Sequence, residues 1–177
     1  MAMIPFVVED GTGLPDATAY DTVENVSDYI ETFYNSKFSD WDALSQGAKE
    51  SAIMTASMYI DQNNEFLGMI VNCHQGLKWP RCGVCVKGCA IPSDVVPDYA
   101  FGSITKATAE YAWRAALEGP LNPDPSVDPN GRIIEMTSCC STTKYSERYG
   151  PVLTQSYPTA DKYLKCFKIT GGRLIRG

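Results

Sequence analysis

The chain has 177 residues, 44% of them hydrophobic and 20% charged. This is enough for one domain with an ordinary core, and it excludes a chain that is disordered throughout. No apolar run is long enough to cross a bilayer.

The formal net charge is −6, but residues 1–50 contain ten acids and two bases, whereas residues 162–177 contain five bases and no acid. Nucleic-acid binding normally needs a broad basic surface, so this distribution argues against it. It favours a basic tail that docks on an acidic protein surface, with a solvated tail as the alternative.

The N-terminal residues MAMIPFVVEDGTG lack a basic region and reach Glu9 and Asp10 early. They do not have the pattern of a secretory signal peptide, so the protein is expected to stay where it is made. Seven cysteines, an odd number, are then expected to be free thiols or metal ligands rather than disulfides.

Periodicity predicts about four helices. The first begins after Thr22, a capping residue, and ends at NSKFSDW; the second runs from Ser45 to Gly68. The third runs from about Pro97 to Leu117 and is stopped by Gly119–Pro120. The last lies in YPTADKYLKCFKITGG.

Between the last two helices, GPLNPDPSVDPNG is expected to be loop, and RIIEMTSCCSTTKYSERYG either a short β-hairpin or an extended arm. The predicted fold class is therefore mainly α: a small helical bundle with a long proline-rich loop and a short hairpin or arm. Residues 1–177 are expected to form a single domain, with 120–156 a loop and arm excursion and 157–177 a C-terminal helix and basic tail.

The stretch KWPRCGVCVKGC places Cys82, Cys85 and Cys89 within eight residues. The Cys82–Cys85 spacing is one that zinc can use, with Cys73, His74 or Cys89 completing the site. A strong zinc signal, however, has two separated pairs of ligands, and no second CxxC pair follows here. The three cysteines are weak metal candidates, and the preferred interpretation is reduced thiols on a small hairpin between Gly83 and Gly88.

Catalytic patterns are weaker still. His74 is the only histidine and directly follows Cys73, and neighbours in sequence usually point apart. There is no GxxxxGK[ST] phosphate loop and no GxGxxG after a strand. We therefore expect no enzyme activity and no cofactor. The tyrosines are expected in the core or at subunit contacts.

Several segments, taken in order, resemble a family of tailed-phage proteins. They are VVEDGTGLPDATAY, WDALSQGAKESAIMTASMYID, QGLKWPRCGV and IPSDVVPDYAFGSITKATAEYAW. Members are often labelled putative DnaT-like single-stranded-DNA-binding proteins and are also found as head–tail connectors, or adaptors. The resemblance covers roughly residues 7 to 120. Cys82, Cys85 and Cys89 depart from the usual pattern of that family.

The resemblance implies a structural subunit of the virion that is assembled in the host cytoplasm. It implies a homo-oligomeric ring, commonly a dodecamer, beneath the portal protein, contacting the next connector or tail protein. DNA would pass through the channel without specific binding, and no membrane would be involved. The alternative functions are a single-stranded-DNA-binding replication accessory protein and, in a third class, a zinc-bearing regulator or small enzyme.

Two sites follow from the residues. Trp79 is predicted to be a buried structural anchor, with Pro80 setting the exit of the following loop and Arg81 pairing with a carboxylate. The portal-binding site is predicted in the basic tail, where two neighbouring apolar residues lie between two arginines. Its residues are Lys165, Lys168, Arg173, Leu174, Ile175 and Arg176.

Overall fold

The computed structural model describes residues 4–121, 135–138, 141–144 and 156–169. Within these ranges it has five helices: α1 Val23–Phe33, α2 Asn35–Asp42, α3 Gln46–Asn63, α4 Ile104–Leu117 and α5 Pro158–Leu164. None of them is both long and apolar enough to cross a membrane.

Short strands form two-stranded antiparallel sheets between and after the helices. The pairs are β1 Met69–Ile70 with β2 Arg81–Cys82, β3 Cys85–Val86 with β4 Cys89–Ala90, β5 Asp98–Tyr99 with β6 Gly102–Ser103, and β7 Glu135–Ser138 with β8 Ser141–Lys144. The antiparallel pairing of β7 with β8 agrees with a hairpin, one of the two structures predicted for that segment.

The predicted fold class, a mainly α bundle of about four helices, is wrong. The described chain is mixed α/β, with small sheets inserted between helices. The segment expected to begin the third helix at Pro97 instead forms the β5–β6 hairpin, and α4 begins only at Ile104. The Ile104 amide donates to the Pro97 carbonyl at 2.8 Å. NSKFSDW, expected to break a helix, largely forms α2.

The second predicted helix is correct at its start and wrong at its end. The Ser45 hydroxyl accepts from the Ala48 amide, as a cap should, and the Thr22 hydroxyl likewise caps α1 by accepting from Asn25. The helix α3 then stops at Asn63, and Phe66 pairs with Lys168 as an isolated antiparallel bridge. Packing of the fully buried Phe66 against Trp79 takes this segment out of the helix.

The core lies around α4, which packs against α1, α3 and α5. Small residues such as Ala107, Ala109 and Ala112 are buried on α4, and Ala52 and Ala56 are buried on α3. Because alanines project little, the two helices can approach closely.

Candidate functional site

The basic edge of the described chain lies at α5 and the residues that follow it. Lys162 and Lys165 are exposed, and Lys168 is partly covered. Together with Pro158 and Asp161 they line a shallow pocket of about 250 Å³. This edge is the described part of the predicted tail site, and it concentrates positive charge on an otherwise acidic chain.

One of these cations is already paired within the chain. Lys168 Nζ donates to Asp161 Oδ1 at 3.1 Å, and the Tyr111 hydroxyl of α4 donates to the same oxygen at 3.2 Å. Asp161 therefore ties Lys168 to α4. Within the described ranges Lys162 and Lys165 form no ion pair, so they are the cations of this edge that could meet a partner.

The last helix is shorter than the segment YPTADKYLKCFKITGG in which it was predicted, so the lysines do not share one helical face. The helix α5 ends at Leu164, Lys165 lies in a turn, and Lys168 pairs with Phe66. Cys166 turns inward, where its thiol is 3.5 Å from the Phe101 carbonyl oxygen. The predicted partner-binding residues Arg173, Leu174, Ile175 and Arg176 lie outside the described residues.

Trp79 lies fully buried where two distant segments meet. Its ring packs edge-on against Phe66 at 5.9 Å and against Phe167 at 5.3 Å between centroids. Its amide donates to the buried Tyr20 hydroxyl at 3.1 Å. Among the described residues, nothing accepts from the indole Nε1. Burying an aromatic ring of this size is expected to stabilise the fold.

Arg81, two residues on, binds backbone rather than a carboxylate. Its guanidinium donates to the carbonyls of Leu67 at 2.7 Å, Gly68 at 2.7 Å and Lys78 at 3.1 Å. The peptide between Trp79 and Pro80 is cis. In this chain Arg81 closes the loop between Leu67 and Lys78, and no described carboxylate forms an ion pair with it.

The loop EDGTG is built around one buried carboxylate. Glu9 Oε1 accepts from the amides of Gly11 at 3.0 Å and Gly13 at 2.9 Å, and Oε2 accepts from Leu14 at 3.0 Å. A Cβ on Gly11 would lie 2.0 Å from the Asp94 carbonyl oxygen, so only glycine fits. Because Glu9 already occupies these amides, they are not free to bind a phosphate.

The cysteine loop forms a hairpin, but it spans Cys85 to Ala90 rather than the predicted stretch between Gly83 and Gly88. In β3–β4, Cys85 pairs with Ala90 and Val86 pairs with Cys89, across a turn at Lys87 and Gly88 with positive φ at both. Cross-strand partners share a face, so Cys85 and Cys89 lie on opposite faces. Among the described residues, no three His, Cys, Asp or Glu side chains are grouped to hold a metal ion.

A buried polar cluster on α4 was missed by sequence reasoning. Glu110 is fully buried; its Oε1 accepts from the hydroxyls of Tyr29 at 2.7 Å and Tyr34 at 2.8 Å, and its Oε2 pairs with Arg114. The Tyr29 hydroxyl also lies 3.2 Å from that of Tyr163 in α5. Burial, followed by these hydrogen bonds, raises the pKa of Tyr29 well above its usual value. The cluster joins α1, α4 and α5 in one network and has no visible chemical task.

A second missed feature is an apolar groove along the outer side of α3, which we call the α3 groove. Its volume is about 460 Å³, and the side chains at its exposed edge include Ile4, 72% exposed, and Met58, 54% exposed. Its full lining is Ile4, Ala17, Thr18, Ser51, Met54, Thr55, Met58, Asp61, Gln62, Gly76 and Leu77. Exposed apolar side chains grouped in a groove are typical of a docking surface.

The chain belongs to the family described as "Putative DnaT-like ssDNA binding protein". That family matches residues 4–176, nearly the whole chain. No curated protein and no solved structure matches the chain. The match extends the predicted resemblance through the C-terminal third. Its description agrees with the alternative function, single-stranded-DNA binding, better than with the adaptor.

Proposed function

We propose that the chain is a structural head–tail adaptor of a tailed bacteriophage, which forms a ring under the portal and extends the DNA channel. The observation that carries the proposal is the separation of charge on the described surface. On α1 and α2 the exposed carboxylates are Glu24, Asp28, Glu31, Asp40 and Asp42, against a single base, Lys37.

This acidic side continues into a depression of about 430 Å³ between α1 and α4. Asp21, Asp28 and Asp98 contribute three carboxylates to its lining, and Lys106, paired with Asp98 at 2.7 Å, contributes one cation. An acidic wall repels the phosphates of a passing duplex, so DNA slides past it instead of sticking. This suits a channel and does not suit a DNA-binding groove.

Contacts between copies need apolar surface, and the described chain exposes some. Around β1, Met69 is 69% exposed, Ile70 is 42% exposed and Val71 is 41% exposed. At the end of α1, Phe33 is 60% exposed. In a ring of about twelve copies, each such surface would face a neighbour, and cyclic closure would prevent open-ended growth.

The basic C-terminal segment is the part we assign to the portal protein. Lys165 and the tail residues from Arg173 to Arg176 combine cations with two apolar side chains, a composition suited to an acidic groove with apolar pockets. A single weak contact, repeated around a ring, becomes strong through avidity. The opposite end of the ring would receive the next connector or tail protein, and the chain would then be part of the virion.

A second candidate is single-stranded-DNA binding. The family's description favours it directly, and the exposed lysines Lys162 and Lys165 are the surface it would use. Nucleic-acid binding through so few cations would be weak and strongly salt-dependent.

The adaptor proposal is tested by mixing the purified chain with portal protein from the same phage. We expect negative-stain images of rings capping the portal and a mass that corresponds to a closed oligomer. A chain that stays monomeric with portal, yet binds a labelled single strand tightly, would replace the adaptor with the second candidate.

A further inference from the structure

One side of α3, along the α3 groove, carries a stripe of two methionines flanked by two acidic residues. Glu50, Met54, Met58 and Asp61 follow one another at intervals of four, four and three residues on α3, which places them on one side of the helix. Met54, Met58 and Asp61 line the groove. Two methionines therefore lie between two carboxylates, and methionine adapts to apolar partners of varied shape.

The described chain ends beside this groove. The Ile169 amide donates to the Glu65 carbonyl at 2.8 Å, just beyond the end of α3. The Glu65 carboxylate pairs with Lys78 at 2.7 Å, and Lys78 lines a depression that shares Asp61 and Leu77 with the groove. The residues after Ile169 therefore start at the Asp61 end of the stripe.

The length of the remaining chain suits the groove. Seven residues from Ile169 to Arg176 reach at most about 23 Å when extended. From Asp61 back to Glu50, α3 rises about 16 Å. A tail running back along α3 can thus pass the whole stripe, with Gly171 and Gly172 allowing the initial turn.

The chemical order also matches. The tail reads Arg173-Leu174-Ile175-Arg176, two apolar residues between two guanidinium groups, opposite two methionines between two carboxylates. We propose that residues 170–177 dock in the α3 groove of their own subunit, with Leu174 and Ile175 on the methionines, Arg176 facing Glu50 and Arg173 beside Asp61. The Asp61 carboxylate would share its oxygens between that arginine and the Tyr20 hydroxyl and Lys78 amide, which already donate to it at 2.6 and 2.9 Å. The docked tail keeps the groove covered, and it must leave the groove before it can reach another protein. This inference does not depend on the adaptor function.

The test uses the full chain with ¹³C-labelled methionine methyl groups, observed by NMR. Replacing both apolar anchors, L174S/I175S, is expected to move the Met54 and Met58 signals by more than a linewidth. Met69 lies outside the groove, so its signal is expected to stay in place. Unchanged Met54 and Met58 signals would overturn the proposal.

The matched control is Ile169→Ser, which removes an exposed isoleucine that precedes the tail and is expected to leave Met54 and Met58 unmoved. Charge exchange gives an independent readout. E50R and R176E alone are each expected to shift Met54, and the combined E50R/R176E variant is expected to restore its wild-type position. Failure of the combined variant to restore it would overturn the assigned direction of docking.

Docking within one subunit is independent of protein concentration. If the difference between wild type and L174S/I175S disappears on dilution, the groove holds the tail of a second copy, and the proposal is wrong as stated. If a synthetic peptide of residues 170–177 binds wild type as tightly as it binds L174S/I175S, the groove is not occupied by its own tail.

Discussion

The decisive functional prediction concerns single-stranded DNA. Suppose the chain binds DNA through all five cations of its basic end: Lys162, Lys165, Lys168 once released from Asp161, and Arg173 and Arg176 of the tail. Five phosphate contacts give a slope of about −3.5 in a plot of log affinity against log salt for a single strand. Affinity would then fall about 100-fold between about 50 and 200 mM salt.

The adaptor proposal predicts a different result. Because the acidic side repels phosphate, we expect a labelled oligothymidylate to bind no tighter than about 10⁻⁴ M at physiological salt, the weak end of non-specific binding. The measurement is fluorescence anisotropy over a salt series. K162E/K165E is the perturbation, and K37E/K49E reverses two lysines on the acidic half as a matched control.

Micromolar affinity with a slope near −3.5 would refute this reasoning. So would a slope that falls to about −2 in K162E/K165E but is unchanged in K37E/K49E, because three contacts would then remain. Either result would assign the basic end to nucleic acid rather than to the portal.

Three further predictions concern the anchor, the tail and the response to acid. Trp79→Ala should cost about 3–5 kcal/mol through the cavity it leaves, lowering the melting temperature by roughly 6–20 °C in a thermal scan followed by circular dichroism. Deleting residues 171–177 should leave helix content unchanged but abolish attachment to portal-bearing heads, since the deleted residues supply most of the proposed contact. Asp98 is partly buried, which raises its pKa, but hydrogen bonds from Lys106 and Ser103 outweigh burial, and the pKa of this carboxyl is lowered below its ordinary value. Its contribution to the free energy of unfolding should therefore be complete above about pH 4 and be lost as the pH falls through the lower folded pKa.

Trp79→Ala has a control variant, and each of the three predictions has an outcome that would contradict it. Phe33→Ala removes an aromatic ring that is 60% exposed and should change stability by less than about 0.5 kcal/mol. A Trp79→Ala variant that melts within a degree or two of wild type would disprove the anchor. Normal head attachment by the shortened chain would disprove the tail assignment. For Asp98, urea unfolding of wild type and Asp98→Asn is compared from neutral pH to pH 3; a difference that does not shrink as the pH falls below about 4 would contradict the assigned sign.

Local features could be predicted from the sequence because their partners are close in the chain. Thr22 and Ser45 cap helices whose free amides lie three residues away. The hairpin after Gly83 joins two strands that are neighbours in the sequence, through a turn at Lys87 and Gly88. Such structures depend on a few adjacent residues, so a short stretch of sequence contains their cause.

The end of α3 and the burial of Glu110 were decided by distant parts of the chain. Gly68 was a reasonable stop, but the chain leaves the helix early because Phe66 packs with Trp79, which itself contacts Phe167 from the C-terminal segment. By residue type alone, Glu110 would be expected on the exposed side of its helix. It is buried because α1 brings the hydroxyls of Tyr29 and Tyr34 to it, some eighty residues apart in sequence. A buried charge is tolerated only when donors surround it, and only the folded chain brings those donors together.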